Sequence, residues 1–505
     1  MGANGELPAR GAGLLNANTA AGPRYQNSLS KLTSVPAAVG ALLATTIALA
    51  SAGAAAGSTA TPGAPQWSPS AVVSTCTAVG APRVVFPSNL PDRSTGPGAI
   101  VWSAPPTCPG GEGARVAMIG ADEQPGATTI PSTSAGKPIA PREPLTVADG
   151  PHGEIVIAGT SPTSLKRGLV IQGRAGGPFS ALATVPGSAA PFAMTTAYLG
   201  DVALASPAPA AMRDGEPRVL VERFFAHSTA QRVATDGTDN PSQSVDPRGA
   251  GPVSDLTLAM DFRSDTLMVW VERGAIYAQD LPGSGAQHPI ERLGPASPGI
   301  HISALLSDDN RAIVAWAQDS GGQTSVYLDR SATGVRFGTP RLLERFSDPD
   351  GLSSPTTSPQ LVRLSSESVM MAWSGSAEGH WAVRTAAVDL DGIGTFGTIS
   401  TPGQDALLAD LAPGPDDDAI VLWGEPQPGA TGEPTLSDQA LFAARGIDTF
   451  PDHTIFGPPE EIAPAGPNSE ATVALDPDSD RAVAVWRGEG STLRYAIRST
   501  APPVG

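Results

Sequence analysis

The sequence predicts an all-β fold, a β-propeller of four-stranded antiparallel blades, with eight blades and a count of seven as the alternative. Three observations carry this expectation. A run of β-branched or apolar residues ending at an aromatic or small position recurs eight times, at a mean spacing of about 55 residues, within the range of propeller blades. A turn rich in glycine or Asp-Gly follows many of these runs, the chemistry of a tight hairpin that needs positive φ. A second apolar stretch after the hairpin then leads through Arg or Asp-Gly to a closing Phe.

The stretch 304–337 shows the unit most clearly. Ser307-Asp308-Asp309-Asn310 is an acidic turn, and Asp and Asn stabilise such turns through their own side chains. Ile313-Val314-Ala315-Trp316 is the marker run. A Gly-Gly hairpin precedes Ser325-Val326-Tyr327-Leu328, and a glycine turn closes on Phe337. The other markers end at Trp102, Gly159, Ala205, Trp270, Trp373, Trp423 and Trp486. Each marker is the second strand of its blade, counting outward from the hub. The regular place of tryptophan at the end of an apolar run points to packing between blades rather than to ligand stacking.

Residues 1–57 read as a signal peptide or an N-terminal anchor. No charged residue lies between Lys31 and Arg83, and 35–57 is apolar and rich in alanine. Ala50-Ser51-Ala52 resembles a small-residue cleavage site, while the same run is just long enough to span a bilayer if left uncut. Residues 58–66 form a small-residue linker. Residues 67–505 are the propeller, and 67–76 is expected to supply a closing strand. The last unit stops after Leu493-Arg494-Tyr495-Ala496-Ile497 with no fourth strand of its own, and an open edge is a liability that pairing would remove.

The chain carries a net charge of −18, although residues 1–57 are net positive. An acidic surface repels phosphate backbones, so nucleic acid is excluded as a partner. Cys76 and Cys108 are the two cysteines. An even pair in an exported chain suggests a disulfide, with two buried thiols as the other reading.

An acidic turn, an apolar run ending in Trp, a Gly hairpin and a closing G-x-F resemble secreted bacterial β-propeller repeat proteins of uncharacterised role. The resemblance covers roughly 81–498, and Gly159 and Ala205 depart from the Trp pattern. A distant likeness to the Asp-box repeats of sialidase-type propellers rests on Ser307-Asp308-Asp309, a fragment of S-x-D-x-G-x-T-W, and sialidase catalysis is not carried over on it. The resemblance implies a secreted or cell-envelope location.

Chemistry is sparse. No two of the six histidines are close enough in sequence for a local zinc motif, and no nucleophile elbow, P-loop or dinucleotide fingerprint is present. Asp476 to Asp480 begins like a calcium loop, but Arg481 and Arg487 stand where Gly and the bidentate Glu belong, so it reads as a solvated turn. No metal and no cofactor is expected. Trp381 is the one aromatic outside the repeat position in a hairpin, and with His380, Glu378, Glu425 and Asp438 it forms the candidate ligand-binding set. These residues belong to connections from second to third strand. Such connections share one face with those leading to the next blade, and the long stretches 104–113, 232–251, 344–359 and 424–438 are expected on that face. Long loops on a rigid scaffold are where binding resides. The functional expectation is an exported binding or scaffolding propeller at the cell envelope, with an unknown glycan or protein as ligand, contacting a membrane only if residues 1–57 stay uncleaved. The alternative is an extracytoplasmic carbohydrate-active hydrolase or lyase with its site at the channel mouth. No catalytic residue is identified from sequence.

Overall fold

Why each marker run sits where it does is answered by its burial. In the computed structural model these runs are covered on both sides, so they read as unbroken apolar stretches instead of alternating ones. The structure describes residues 66–87, 97–120, 124–150, 153–186, 193–196, 201–208, 218–224, 243–245, 253–282, 288–297, 299–347, 359–364, 368–389, 392–414, 418–426, 438–448, 454–477 and 481–499. The leader 1–57 and the linker up to residue 65 lie outside the described residues.

Two short strands come first, β1 (Gln66–Trp67) and β2 (Ala71–Ser74). Blade 1 holds β3 (Val79–Val85), β4 (Gly98–Ala104) and β5 (Gly113–Ile119). Blade 2 holds β6 (Arg142–Asp149), β7 (Ile155–Ser161), β8 (Ser164–Gly173) and β9 (Phe179–Pro186). Blade 3 holds β10 (Ala193–Thr196), β11 (Val202–Ala208), β12 (Arg218–Phe224) and β13 (Gln243–Val245). Blade 4 holds β14 (Val253–Met260), β15 (Thr266–Glu272), β16 (Ala275–Leu281) and β17 (Glu291–Pro295). Blade 5 holds β18 (His301–Leu306), β19 (Ala312–Ser320), β20 (Gln323–Ser331) and β21 (Arg341–Ser347). Blade 6 holds β22 (Gln360–Arg363), β23 (Ser368–Ala377), β24 (His380–Asp389) and β25 (Ile393–Thr398). Blade 7 holds β26 (Leu407–Pro413), β27 (Asp418–Pro426), β28 (Gln439–Asp448), β29 (Thr454–Phe456) and β30 (Glu460–Ala463). Blade 8 holds β31 (Ser469–Leu475), β32 (Ala482–Arg487) and β33 (Leu493–Ser499).

Among the described residues these strands form eight antiparallel sheets, mostly four-stranded. The chain is an all-β propeller. Its innermost strands β3, β6, β10, β14, β18, β22, β26 and β31 touch one another in turn, and β31 touches β3, which closes the ring. Both β1 and β2 pair with β33, so the upstream segment forms the outer edge of blade 8. In blade 1 the fourth position is taken by the irregular segment 124–141, bridged at Val116 with Thr129 and Ile119 with Pro125.

Packing between blades follows one rule. Alternate residues of each second strand serve opposite neighbours, as the period of two demands. Trp270 packs on Ala203 and Ala205 of blade 3, while Val269 on the other side packs on Val314 and Trp316 of blade 5. Trp373 packs on Ile313 and Ala315, Trp423 on Met370 and Ala372, and Trp486 on Ile420 and Leu422. Trp102 packs on Val483 and Val485 of blade 8. Every one of these tryptophans inserts against the preceding blade, and Trp102 carries the rule across the ends of the chain.

Blade 2 breaks the rule for a steric reason. A Cβ on Gly159 would lie 2.5 Å from the Arg142 carbonyl oxygen and 2.9 Å from Leu145. A register shift between Arg142 and Thr146 swells the inner strand into the space a tryptophan would need.

Among the described residues no helix is long and apolar enough to cross a membrane.

Candidate functional site

The strand order assigns each connection to a face. The hairpin turn at Glu378 and Gly379 joins β23 to β24, and Glu425 and Asp438 flank the connection from β27 to β28. All lie on the face that also bears the blade-to-blade connections. Of the four long stretches expected there, 104–113 joins the second strand of blade 1 to the third and fits, while 232–242, 246–251, 348–358 and 427–437 lie outside the described residues. Within 232–251 the described residues are 243–245, which form β13, the fourth strand of blade 3.

The candidate residues are used by the fold in different ways. Glu378 is exposed at the hairpin tip with φ 54° beside Gly379 at 87°. His380 places Nδ1 3.4 Å from Asp405 Oδ1. The Trp381 N–H donates to Asp405 Oδ1 at 2.9 Å. The Trp381 ring is not available to a ligand, because it is 0 % exposed. It meets Phe346 edge to face at 5.4 Å, inside the core between blades 5 and 6. Its place one step inside the hairpin puts it on the side of β24 that faces blade 5. Glu425 is also buried, and its Oε1 accepts from Trp423 Nε1 at 2.8 Å and from the Thr401 N–H at 3.1 Å. Glu425, Trp381 and His380 are therefore brought together around the connection 399–406, which they clamp. Glu378 and Asp438 remain exposed outside that clamp. Cys76 and Cys108 form a disulfide with Cα atoms 5.9 Å apart, inside the span a disulfide bridges.

A different set of charges is carried by neighbouring inner strands, and these charges act on one another. Glu143 leads off β6, Glu470 leads off β31, Arg83 lies on β3 and Asp410 on β26. Four consecutive blades, 7, 8, 1 and 2, thus contribute. Burial pushes the Glu143 carboxyl above the usual carboxylate range, and the Glu470 charge adds to it. The Leu145 N–H, Arg83 and the Ser103 hydroxyl act against that rise. Gly80 leaves room for this carboxyl, since a Cβ there would stand 2.8 Å from Glu143 Oε1. Burial likewise raises Asp410, with Arg83 among the groups opposing it. Glu470 is ion-paired to Arg487 at 2.6 Å.

Several inner-ring polar groups also lace neighbouring blades together. Asp410 accepts from Leu411 N at 3.0 Å, Val473 N at 2.9 Å and Thr472 Oγ1 at 2.6 Å, joining blade 7 to blade 8. Asp255 accepts from Leu256 N at 2.9 Å and Ile302 N at 3.1 Å, joining blade 4 to blade 5. His301 Nδ1 lies 3.9 Å from the same carboxylate, whose pKa is raised by burial. Register shifts at Val253/Asp255 and Leu408/Asp410 swing these side chains out of the ladder. The signal was present in the sequence. Asp255-Leu256 and Asp410-Leu411 each place the one charged residue of a first strand before a leucine, a pattern hidden behind the stronger second-strand repeat.

Among the described residues no group of three or more His, Cys, Asp or Glu side chains could hold a metal ion. Asp476, at the start of the calcium-like stretch, pairs instead with Arg481 at 2.9 Å, and 478–480 lie outside the described residues.

No family model matches the chain, and no curated protein matches it. Solved structures resemble it at low similarity. Polysaccharide lyase Uly1 is 8% identical, covering 73% of this chain and 92% of its own, with a TM-score of 0.37. The α-L-arabinofuranosidase from Fusarium graminearum is 14% identical over 65% of this chain and 97% of its own, with a TM-score of 0.35. The fucose-specific lectin from Aleuria aurantia is 10% identical over 70% of this chain and 93% of its own, with a TM-score of 0.32.

Proposed function

We propose that this chain is an exported carbohydrate-active hydrolase or lyase whose site is the mouth of the central channel. One observation carries the reading. Glu143 is a carboxyl with its pKa raised by burial, and it stands within electrostatic reach of Glu470 and Arg83 from two other blades. A buried carboxyl retains a proton to give to a leaving oxygen, while a second carboxylate serves as base or nucleophile. Glu143 takes the first role and Glu470 the second. Arg83 offsets negative charge on an acidic substrate or in the transition state.

A second reading, an exported propeller that binds or scaffolds a glycan or protein at the cell envelope, is favoured by the inner-ring acids Asp255 and Asp410. Their oxygens are committed to neighbouring backbones, as structural struts are.

The test is a panel of neutral and acidic polysaccharides offered to the full chain and to Glu143→Gln. Turnover is read as new reducing ends or unsaturated products, and retention is read by affinity electrophoresis. The variant should lose about 10²- to 10⁴-fold in turnover with retention unchanged. Retention without turnover in the wild type replaces this reading with the second one.

A further inference from the structure

We infer that the cavity beside the ring-closing strand is a binding site for a small organic carboxylate. It has a volume of about 460 Å³, bounded by Thr75 and the Cys76–Cys108 disulfide on one side and by Trp102, Arg115, Thr128 and Ile130 on the other. Glu143, Glu470 and Arg83 are not among its lining residues, and the inference does not rest on the activity proposed for them.

The repeats supply the argument. Trp102 and Arg115 are direct cross-strand partners in blade 1. Trp373 and Arg384 are the same pair in blade 6. In blade 6 a carboxylate completes the group, since Trp373 Nε1 donates to Glu344 Oε2 at 2.6 Å. A Cβ on Gly375 would lie 2.6 Å from Arg384 Cγ, 2.6 Å from Glu344 Oε2 and 3.0 Å from Trp373 Nε1, so the three converge above that glycine. Blade 7 repeats the cap without the arginine: Glu425 accepts from Trp423 Nε1, whose cross-strand partner is Phe442. In blade 1 the residue matching Gly375 is Ala104, and it faces the cavity. The buried Trp102 Nε1 has no hydrogen-bond partner among the described residues, a state it shares with Trp270, Trp316 and Trp486, but of these four only Trp102 lines this cavity. A ligand carboxylate there would stand where Glu344 stands. Blade 8 has the pair too, Trp486 and Arg494, but there Arg494 donates to Ser70 Oγ at 2.8 Å.

Arg115 supports the assignment. It is 4 % exposed, and no carboxylate lies within ion-pair distance among the described residues. Its Nη atoms donate to the carbonyls of Pro109 at 3.2 Å, Gly113 and Ala114 at 3.1 Å, and Gly111. These bonds occupy all four Nη–H groups without neutralising the charge, so the guanidinium offers a ligand its positive field rather than an Nη donor, and burial alone pulls its pKa down. A buried charge without a counter-charge favours an anion beside it. The Trp102 ring, Ile130 and the disulfide give an apolar wall, and Thr75 and Thr128 add hydroxyls. The ligand is therefore a carboxylate on a body with one apolar face, a description that fits both a sugar acid and an aromatic acid.

The full chain is titrated with D-glucuronate and benzoate, and with D-glucose and benzyl alcohol as neutral counterparts, by calorimetry and saturation-transfer NMR. At least one acid should bind about tenfold or more tightly than its neutral counterpart, and Trp102→Phe should weaken it about 10- to 100-fold, the worth of a hydrogen bond to a charged group. Thr128→Glu at the exposed rim should supply an internal carboxylate and abolish binding without touching the core. Binding of glucuronate alone identifies a sugar acid, and binding of benzoate alone an aromatic one. Failure of both acids to bind, equal binding of the neutral counterparts, or a folded Thr128→Glu that binds like the wild type overturns the assignment.

Discussion

Blades 4 to 6 and the seam where blades 8, 1 and 2 meet are built from the same repeat and put it to different use. In the middle blades each tryptophan is fully enclosed, and in blade 6 its N–H is capped by Glu344. At the seam one blade is three-stranded, another has Gly159 where the tryptophan belongs, and a disulfide ties blade 1 to the closing strand. The cavity beside Trp102 and the charges Glu143, Glu470 and Arg83 are all found there. Regular repeats fill the space between blades, and the buried acids they carry, such as Asp255, are tied to backbone N–H groups. Irregular ones leave room and unbalanced charge, and the functional candidates fall where the repeat is broken.

The largest expected effect concerns the regular region. Trp316→Ala and Trp381→Ala should each cost about 3–5 kcal/mol, because both rings are enclosed and each truncation leaves a cavity. Denaturant midpoints measured side by side check this. A change below about 1 kcal/mol for Trp381→Ala would mean that its ring is not held in the core between blades 5 and 6.

The next effect belongs to the seam. The disulfide closes a separation of 32 residues, worth about 3–4 kcal/mol on the chain-entropy model. The paired Cys76→Ser and Cys108→Ser variant should lose that stability. Its faster hydrogen exchange should concentrate in β33 and blade 1 and spare β19. A uniform rise through all blades would erase the contrast between seam and middle.

The smallest effect returns to blade 4. Asp261, in the turn between β14 and β15, is buried and has its pKa pushed up to about 6, chiefly by desolvation. Its Oδ1 accepts from the N–H groups of Arg263 at 2.8 Å and Asp265 at 2.9 Å. A raised carboxyl binds more protons folded than unfolded between its ordinary pKa and its folded one. Its contribution is therefore best below the ordinary value and is lost as pH climbs towards about 6. Asp261→Asn should gain about 2 kcal/mol at pH 8 and nothing at pH 3. Melting curves across that range read the difference, and a gain independent of pH would assign it to something other than this titration.

The second-strand markers were legible because burial on both sides writes an unbroken apolar run into the chain, and tryptophan at its end is hard to miss. The acids of the inner ring were legible in principle, but one polar residue in a first strand is a weak mark beside eight strong repeats. Trp381 illustrates the limit. As a hairpin aromatic off the repeat position it looks like a ligand contact, yet it is as deeply enclosed as Trp373. Distance along the chain from the repeat position said nothing of Phe346, which covers it from another blade.

Strands, turns, their period, the acidic surface and the cysteine pair are local chemistry, and the chain order is enough to read them. These depend on neighbours a few residues apart, where periodicity and turn preference act. Only the tertiary structure decided which residues share a space across blades, because that depends on how far each inner strand bulges and on what fills the gap. It placed Arg142 and Leu145 over Gly159 and Glu344 on the Trp373 N–H, and among the described residues it left the Trp102 N–H without a hydrogen-bond partner.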